Sequence, residues 1–395
     1  SKRPKHAPLV CHVHMADPEL LTLLREDTWS ARDPAKPTLE FFNLFDLAAE
    51  RLLDDDETLL RNGNIKPGVI LLAGFGSMGR NILIRLARQW WAQEGPTRHG
   101  RLPVVIVDVG AERLIRQVQT SFPAIKETCE LIPLECDVRT IDFEGDLFRN
   151  HLPAGMESSA SLFIALGDDT LSLSSAVRMH RGLRKYMKDV STTVLLTHLG
   201  GLSSLITGTE SGGGLRMFGL LESVCTPQAL RDASLPGRLA RALHQGYVRM
   251  QLAAGKNIRS KPALVPWNEL GDRYQRSNLD QSQEQPRWLP LRLHQMGCAI
   301  RPRNDWSAPL FQFADHELQV LGALEHQRWI DFNTSIQVRH DDALGEEKRL
   351  QQCLATWEKL TPEERGWDMQ FFRDLPRFLG DLGHDIFRRS GGNLV

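Results

Sequence analysis

The chain has 395 residues, with 48 Lys+Arg against 49 Asp+Glu and a formal net charge of -1. At roughly 150 residues per domain this length predicts two to three domains, and 41% hydrophobic with 25% charged residues excludes a disordered chain. Near-neutral charge argues against a nucleic-acid partner, and the longest apolar runs fall far short of the ~20 residues that span a bilayer.

The N-terminus shows no charged, then apolar, then small-residue pattern of a secretory signal. The six cysteines, Cys11, Cys129, Cys136, Cys225, Cys298 and Cys353, form no C-x-x-C pair and are expected as free thiols in a reducing compartment. His12 and His14 alternate along an expected strand over 9–14, but two histidines do not make a metal site, and no metal is expected.

Residues 69–79 read Val-Ile-Leu-Leu-Ala-Gly-Phe-Gly-Ser-Met-Gly. The apolar run is too short for a helix and predicts a buried strand; residues 81–91 alternate apolar and Arg at helical spacing. Between them lies G-x-G-x-x-G at Gly74, Gly76 and Gly79. Glycines there permit a tight turn, close approach of a phosphate and close helix–strand packing, while the helix N-terminus supplies N–H groups and positive dipole.

The next expected strand, 104–108, ends in Asp108, whose carboxylate can accept hydrogen bonds from ribose hydroxyls. It lies 29 residues after Gly79, beyond the usual ~20, and the polar stretch 94–101 absorbs the excess as a loop. Expected strands follow at 131–134, leading to Cys136-Asp137, at 162–166, leading to Gly167-Asp168-Asp169, and at 193–197, the last. Helical patterns over 112–120 and 171–186 separate them, so the fold class is α/β with a doubly wound parallel sheet. Asp137, Asp168 and Asp169 stand where such sheets bind ligands; each reads also as a helix N-cap.

Residues 67 to about 200 resemble a TrkA-N domain, the Rossmann-like unit of regulators of potassium conductance. The likeness rests on Gly74-Phe75-Gly76-Ser77-Met78-Gly79, Asp108, Cys136-Asp137 and Ala165-Leu166-Gly167-Asp168-Asp169. It implies binding of NAD(H) or an adenine nucleotide (ATP, ADP or AMP) for regulation, not hydride transfer. The cofactor-binding candidates it implies are Gly74, Phe75, Gly76, Ser77, Met78, Gly79, Asp108, Asp137, Leu166 and Gly167. Cys136 stands where the family usually has Gly, a departure at the adenine side. The resemblance also implies pairing of copies as a homodimer or higher homo-oligomer.

Two internal repeats are visible. Residues 9–14 resemble 193–198 at an offset of 184, and 42–46 resemble 218–222 at an offset of 176. Residues 8–55 therefore look like the tail of a second Rossmann-like unit. Farther on, His244 and His326 are 82 apart, Trp267-Asn268-Glu269-Leu270 and Trp357-Glu358-Lys359-Leu360 are 90 apart, and Leu289-Pro290 with Gly297 recur as Leu375-Pro376 with Gly383, 86 apart. A helix, a loop with W-x-x-L, and two helices ending in glycine form a small module used twice.

This half resembles the RyR domain, a small helical repeat named for ryanodine receptors. In the first copy the likeness rests on His244-x-x-Tyr247, Val265-Pro266-Trp267-Asn268-Glu269-Leu270, Arg276-Ser277-Asn278 and Leu293-x-x-x-Gly297. In the second it rests on Glu325-His326-x-Arg328-Trp329, Trp357-x-x-Leu360 and Leu379-x-x-x-Gly383, with Arg365-Gly366-Trp367-Asp368 in place of Arg276-Ser277-Asn278. Six of the nine Trp lie between Trp267 and Trp367, interleaved with arginines. They read as core residues or as rings that stack on a base while Arg meets phosphate. A second ligand site is expected from His244, Tyr247, Trp267, Arg276, Asn278, His326, Arg328, Trp329 and Trp357.

No G-x-S-x-G, H-E-x-x-H or G-x-x-x-x-G-K-[ST] occurs, and the two module histidines stand at duplicated positions, so no catalysis is expected. The expected organisation is 1–60, the tail of an incomplete Rossmann-like unit with a linker helix; 61–236, the nucleotide-binding domain; and RyR-like modules at 237–302 and 303–395. The expected function is a cytoplasmic ligand sensor, the gating part of an ion channel or transporter. An upstream membrane segment suits the basic opening Ser1-Lys2-Arg3-Pro4-Lys5-His6 and the bare sheet edge of a unit entered at its last strand. The alternatives are an NAD(P)-dependent oxidoreductase and a free-standing soluble nucleotide-signal sensor.

Overall fold

The computed structural model describes residues 10–16, 38–54, 60–61, 64–65, 68–140, 150, 159–200, 215–226, 229–230, 235–253, 255, 263–282, 288–337 and 356–389. The basic opening 1–6, Leu9 and Cys353 lie outside them. The chain divides into two compact units: Ser1–Arg231 with Asn304–Ala308, and Asp232–Arg303 with Pro309–Val395.

The first unit opens with β1 (Val10–His14), β2 (Thr38–Phe42), α1 (Leu44–Asp54) and the short pair β3 (Leu60–Arg61) and β4 (Asn64–Ile65). Then come β5 (Val69–Ala73), α2 (Ser77–Ala92), α3 (Gly95–His99), β6 (Leu102–Asp108), α4 (Ala111–Ser121), α5 (Ile125–Thr128) and β7 (Cys129–Glu135). The unit continues through β8 (Ser159–Ile164), α6 (Asp169–Leu183), β9 (Asp189–Leu196), β10 (Leu215–Gly219) and α7 (Leu220–Val224).

Six strands form one parallel sheet in the order β10-β9-β8-β5-β6-β7. The chain begins at the centre, runs out through β6 and β7, and returns to β8 on the other side of β5. This is the Rossmann-like order, with its topological switch point between β5 and β8. β5 is buried at every residue because both sheet faces are covered, which is why its sequence is uniformly apolar. Leu71 stands between Val105 and Leu162 in register, and all three belong to one core cluster with Val194 and Met179. Along α2, Met78, Ile82, Leu86 and Trp90 recur every fourth residue as its buried stripe.

Three expectations need correction here. The first sheet helix begins at Ser77 and not at 81, so the Gly loop runs directly into it. The strand at 189–196 is not the last: β10 follows. β10 is a sheet edge, paired only to β9, and its half-buried Leu215, Arg216 and Met217 lack the apolar run of a central strand. At the N-terminus the expected repeat offsets, 184 for the first strand and 176 for the second, do not agree with the strand register. β1 and β2 pair parallel and lead into α1, as β9 and β10 pair parallel and lead into α7. His14 stands opposite Phe42 and Leu195 opposite Phe218, so the strands 9–14 and 193–198 were matched three residues out of register. An odd shift exchanges the two faces of a strand, which short apolar motifs cannot reveal when both strands are mixed.

The second unit comprises α8 (Leu235–Ala253), a 3-10 turn (Trp267–Glu269), α9 (Asp272–Ser282), α10 (Trp288–Gln295) and β11 (Cys298–Pro302). It then repeats the plan with α11 (Asp315–Gln337), a 3-10 turn (Trp357–Lys359), α12 (Pro362–Asp381) and β12 (His384–Arg388). Each W-x-x-L is a 3-10 turn closed by the Leu N–H on the Trp carbonyl, at 3.2 Å for Leu270 and 3.3 Å for Leu360, with the Leu side chain buried. The same carbonyl also accepts from Gln275 Nε2 in the first copy and from Arg365 Nε in the second. α12 is one helix where the first copy has two, which is why the repeat spacing drops from 90 at the turn to 86 at the glycine. Thr361 and Glu364 close a capping box at its start.

Neither β11 nor β12 was anticipated, since Cys-Ala-Ile-Arg-Pro and His-Asp-Ile-Phe-Arg are short and chemically mixed. Gly297 and Gly383, both at positive φ, turn the preceding helices into them. The strands pair antiparallel with Ile300 opposite Ile386, which are equivalent residues of the two copies. Arg389 N–H donates to Gly297 O at 2.9 Å, and Arg303 N–H to Gly383 O at 2.8 Å, again an equivalent exchange. A local pseudo-twofold axis therefore passes through the Ile300–Ile386 pair. Replacing either isoleucine by Ala is expected to cost about 2–4 kcal/mol, and the double variant to depart from additivity by about 0.5–3 kcal/mol because the two side chains share one axis. Urea unfolding of the four proteins of the cycle measures both.

Candidate functional site

At the C-terminal edge of the sheet, the loop after β5 has the geometry of an anion cradle. Gly74 takes φ +88, in the left-handed region, and a Cβ there would lie 2.5 Å from Ala165 O. Gly79 presses on the same turn: its Cβ would lie 2.2 Å from Gly74 O. Gly76 is the opposite case, exposed, with open space where a Cβ would go. It is the N-cap of α2, no side chain caps that helix, and no acid sits in its first turn. The first-turn N–H groups have no partner within the helix and present positive partial charge beside the vacant space over Gly76. Phe75 and Met78 are buried and anchor the loop; Ser77 is half-buried at its rim.

Asp108, at the end of β6, holds this loop. Its Oδ2 accepts from Phe75 N–H at 2.8 Å and its Oδ1 from Gly110 N–H at 3.0 Å. The Gly74 N–H donates to Val107 O at 3.0 Å, so the whole turn is pinned to β6. Each carboxylate oxygen keeps a further lone pair, which a ribose hydroxyl can use.

The turn after β7 differs from expectation in its partners. Asp137 does not cap a helix: its carboxylate is engaged by Arg139 through Nε at 3.0 Å and Nη2 at 2.8 Å, which holds it below the ordinary carboxylate range. Arg178 of α6 donates to Val138 O and Arg139 O, fastening this turn across the sheet edge. The Cys136 thiol is raised above its ordinary value by burial and by the charges of Asp137 and Asp108, so it is a neutral thiol between two acids. Arg139 was missed by sequence reasoning, although its i+2 spacing from Asp137 in an Asp-Val-Arg turn was a usable signal.

Across the switch point, Leu166 and Gly167 follow β8, which ends at Ile164 and not at 166. Leu166 packs against the sheet core and Gly167 is exposed with free space over it. Ala165 N–H donates to Ala73 O at 2.8 Å, so this loop and the Gly loop are neighbours. Asp168 is the N-cap of α6, accepting from Leu171 N–H at 2.7 Å. Asp169 accepts from Thr197 N–H and His198 N–H, holding the end of β9. Both acids are thus committed to the scaffold.

In the second unit each copy brings its own His and Trp together. His244 lies 5.9 Å from Trp267 between ring centres, with its Nε2 2.7 Å from Val265 O. His326 lies 6.1 Å from Trp357 and stacks on Trp329 at 6.4 Å, and Arg365 sits over Trp357 at 5.5 Å. Arg328 is taken up by a buried two-point pair with Glu325, at 2.9 and 2.7 Å. His326 Nδ1 is 3.0 Å from Asp368 Oδ2. Asp368 and Glu325 carry the module likeness in the sequence but were not among the expected site residues; Asp368 is the counterpart of Asn278 at the 90-residue spacing. Arg276 is exposed on α9, Tyr247 is half-buried on α8, and Asn278 donates to Tyr274 O.

Cys11, Cys129, Cys136, Cys225 and Cys298 are free thiols. Among the described residues no cluster of His, Cys, Asp or Glu is placed to hold a metal ion, and no helix is long and apolar enough to cross a membrane. The sequence matches no family profile and no curated protein.

Two outcomes follow from this geometry. Gly79→Ala is expected to lower the thermal midpoint by several degrees, because its Cβ meets a backbone oxygen that cannot yield, while Gly76→Ala leaves it unchanged; equal melting would contradict the packing described. Burial and the Glu325 charge push the Asp368 carboxyl up to about 6, against the pull of His326 and Arg328. The folded acid then holds its proton more tightly than the unfolded chain, so it favours the fold at low pH and this contribution is lost as pH rises from about 4 to about 6. Asp368→Asn is expected to remove that slope from urea-derived stability; an unaltered slope would contradict it.

Proposed function

We propose that this chain is a regulatory sensor that binds an adenine nucleotide or NAD(H) at the Gly loop without turning it over. The observation that carries this reading is the contrast within one loop. Gly74 and Gly79 are glycines because neighbouring backbone excludes a Cβ, whereas none of the described residues comes within 4 Å of where a Cβ of Gly76 would lie. A phosphate over the uncapped start of α2 accounts for that space, and Asp108 stands where the ribose would be. Leu166 and Gly167 supply the facing wall at the switch point. The likeness to TrkA-N units supports NAD(H), ATP, ADP or AMP as ligand, regulation as purpose, pairing of copies as assembly, and control of ion flux across a membrane as output. A second nucleotide seat on the RyR-like modules is the companion proposal, supported by the half-buried Trp329 and Trp357 gathered about His326.

Calorimetric titration of the whole chain with NAD+, NADH, ATP, ADP and AMP tests the first seat. One of them is expected to bind saturably, and Gly76→Val, at a backbone conformation any residue adopts, to abolish binding while the protein still melts as the wild type does. Asp108→Asn, which keeps one acceptor oxygen for the loop, is expected to weaken binding by about 1–3 kcal/mol. Binding unaffected by both substitutions would overturn the assignment.

A further inference from the structure

Five residues break the division of the chain. Asn304–Ala308 follow β11 and precede α11, both of the second unit, yet they belong to the first. At their centre Trp306 is 5% exposed, and its Nε1–H donates to Thr128 Oγ1 at 3.0 Å. Thr128 is fully buried and its own hydroxyl donates to Ala124 O at 2.7 Å. The Trp306 ring centre lies 6.2 Å from that of Phe122, and the Arg88 guanidinium sits 5.4 Å from Trp306 and 5.9 Å from Phe122. Asp305 Oδ1 accepts from Ser307 N–H and Ser307 Oγ, closing a turn that presents the ring. Such a segment is not a passive linker. A buried indole with its N–H satisfied and a cation over its face is a costly group to release.

Two of the elements that hold Trp306 begin at the proposed nucleotide cradle. Arg88 is on α2, whose first turn lies under Gly76. Phe122 and Thr128 flank the corner after α4, the helix whose N-cap is Gly110, and the Gly110 N–H donates to Asp108. On its other side, the segment is continuous with Arg303, whose N–H donates to Gly383 O and so extends the β11–β12 pair at the pseudo-twofold axis.

We infer that Trp306 is the coupling point through which occupancy of the Gly loop reaches the paired helical modules. Ligand that draws the start of α2 and the Asp108 turn together changes the seat of Trp306. The strap then transmits the change to the β11–β12 pair, where strands of both copies meet. This rests on the nucleotide reading above.

Hydrogen exchange of the whole chain, wild type and Trp306→Ala, tests it with and without the nucleotide found to bind. Without ligand, the substitution is expected to speed exchange of the Ile300 and Ile386 amides by about tenfold or more, the signature of a lost tie. With ligand, those amides are expected to respond in the wild type and to be silent in Trp306→Ala, while calorimetry shows the Gly loop still binding. A module response surviving in Trp306→Ala, or ligand-free exchange identical in the two proteins, would overturn the coupling. Should no nucleotide bind, the functional reading fails, and the ligand-free comparison still decides whether the strap ties the modules. Where Trp306→Ala does not fold, Thr128→Val, which removes only the acceptor of the indole N–H, is expected to give a smaller change of the same sign, and no change would overturn it.

Discussion

One carboxylate organises the candidate site. Asp108 closes on Phe75 N–H with one oxygen and on Gly110 N–H with the other, so the loop entering α2 and the turn entering α4 share a single anchor. A charged acceptor bridging two backbone donors is worth more than two neutral hydrogen bonds, and its loss leaves both amides to be satisfied elsewhere. The approach of Gly79 to Gly74 and the fit of Gly74 against Ala165 make sense only with the loop in that place. Binding and scaffold therefore meet in one residue, and the ribose-facing acid of the proposed site is also its structural clamp.

The second unit solves a different problem. Each module ends in a strand that has no partner within its own copy. Pairing β11 with β12 about Ile300 and Ile386 gives each strand the other as its partner. The copies then diverge where symmetry does not constrain them. The first keeps neutral Asn278; the second has Asp368 beside His326, with Glu325 and Arg328 alongside. That divergence concentrates titratable groups in the second copy.

Much of this was legible beforehand, for stated reasons. β5, β6 and β8 are largely buried parallel strands, and burial on both faces writes itself as apolar runs; β7 at the edge and the start of β9 are less buried but keep enough apolar residues to be read. The Gly loop was legible because glycines at those spacings answer to sterics. The module repeat was legible through Trp, Leu and Gly at fixed offsets, since a 3-10 turn capped by a buried Leu needs those residues. What escaped were β2, β3, β4, β10, β11 and β12, short strands that lie at an edge or in a two-stranded sheet and carry mixed composition. The three-residue misalignment of β1 with β9 escaped because short motifs do not define which face is which. Asp368 and Trp306 escaped as site residues for another reason: their partners are set by tertiary placement, Asp368 meeting His326 and Trp306 reaching Thr128 across 178 residues. Arg139, two residues from Asp137, was a local signal left unread.

The most direct measurement is hydrogen exchange at the first turn of α2 in the presence of each adenine nucleotide and of NAD(H). The account predicts that the amides of Ser77, Met78 and Gly79 are protected by one of these ligands, with Phe75, already bonded to Asp108, changing less. Exchange at those three amides unaltered by every one of the ligands would contradict it.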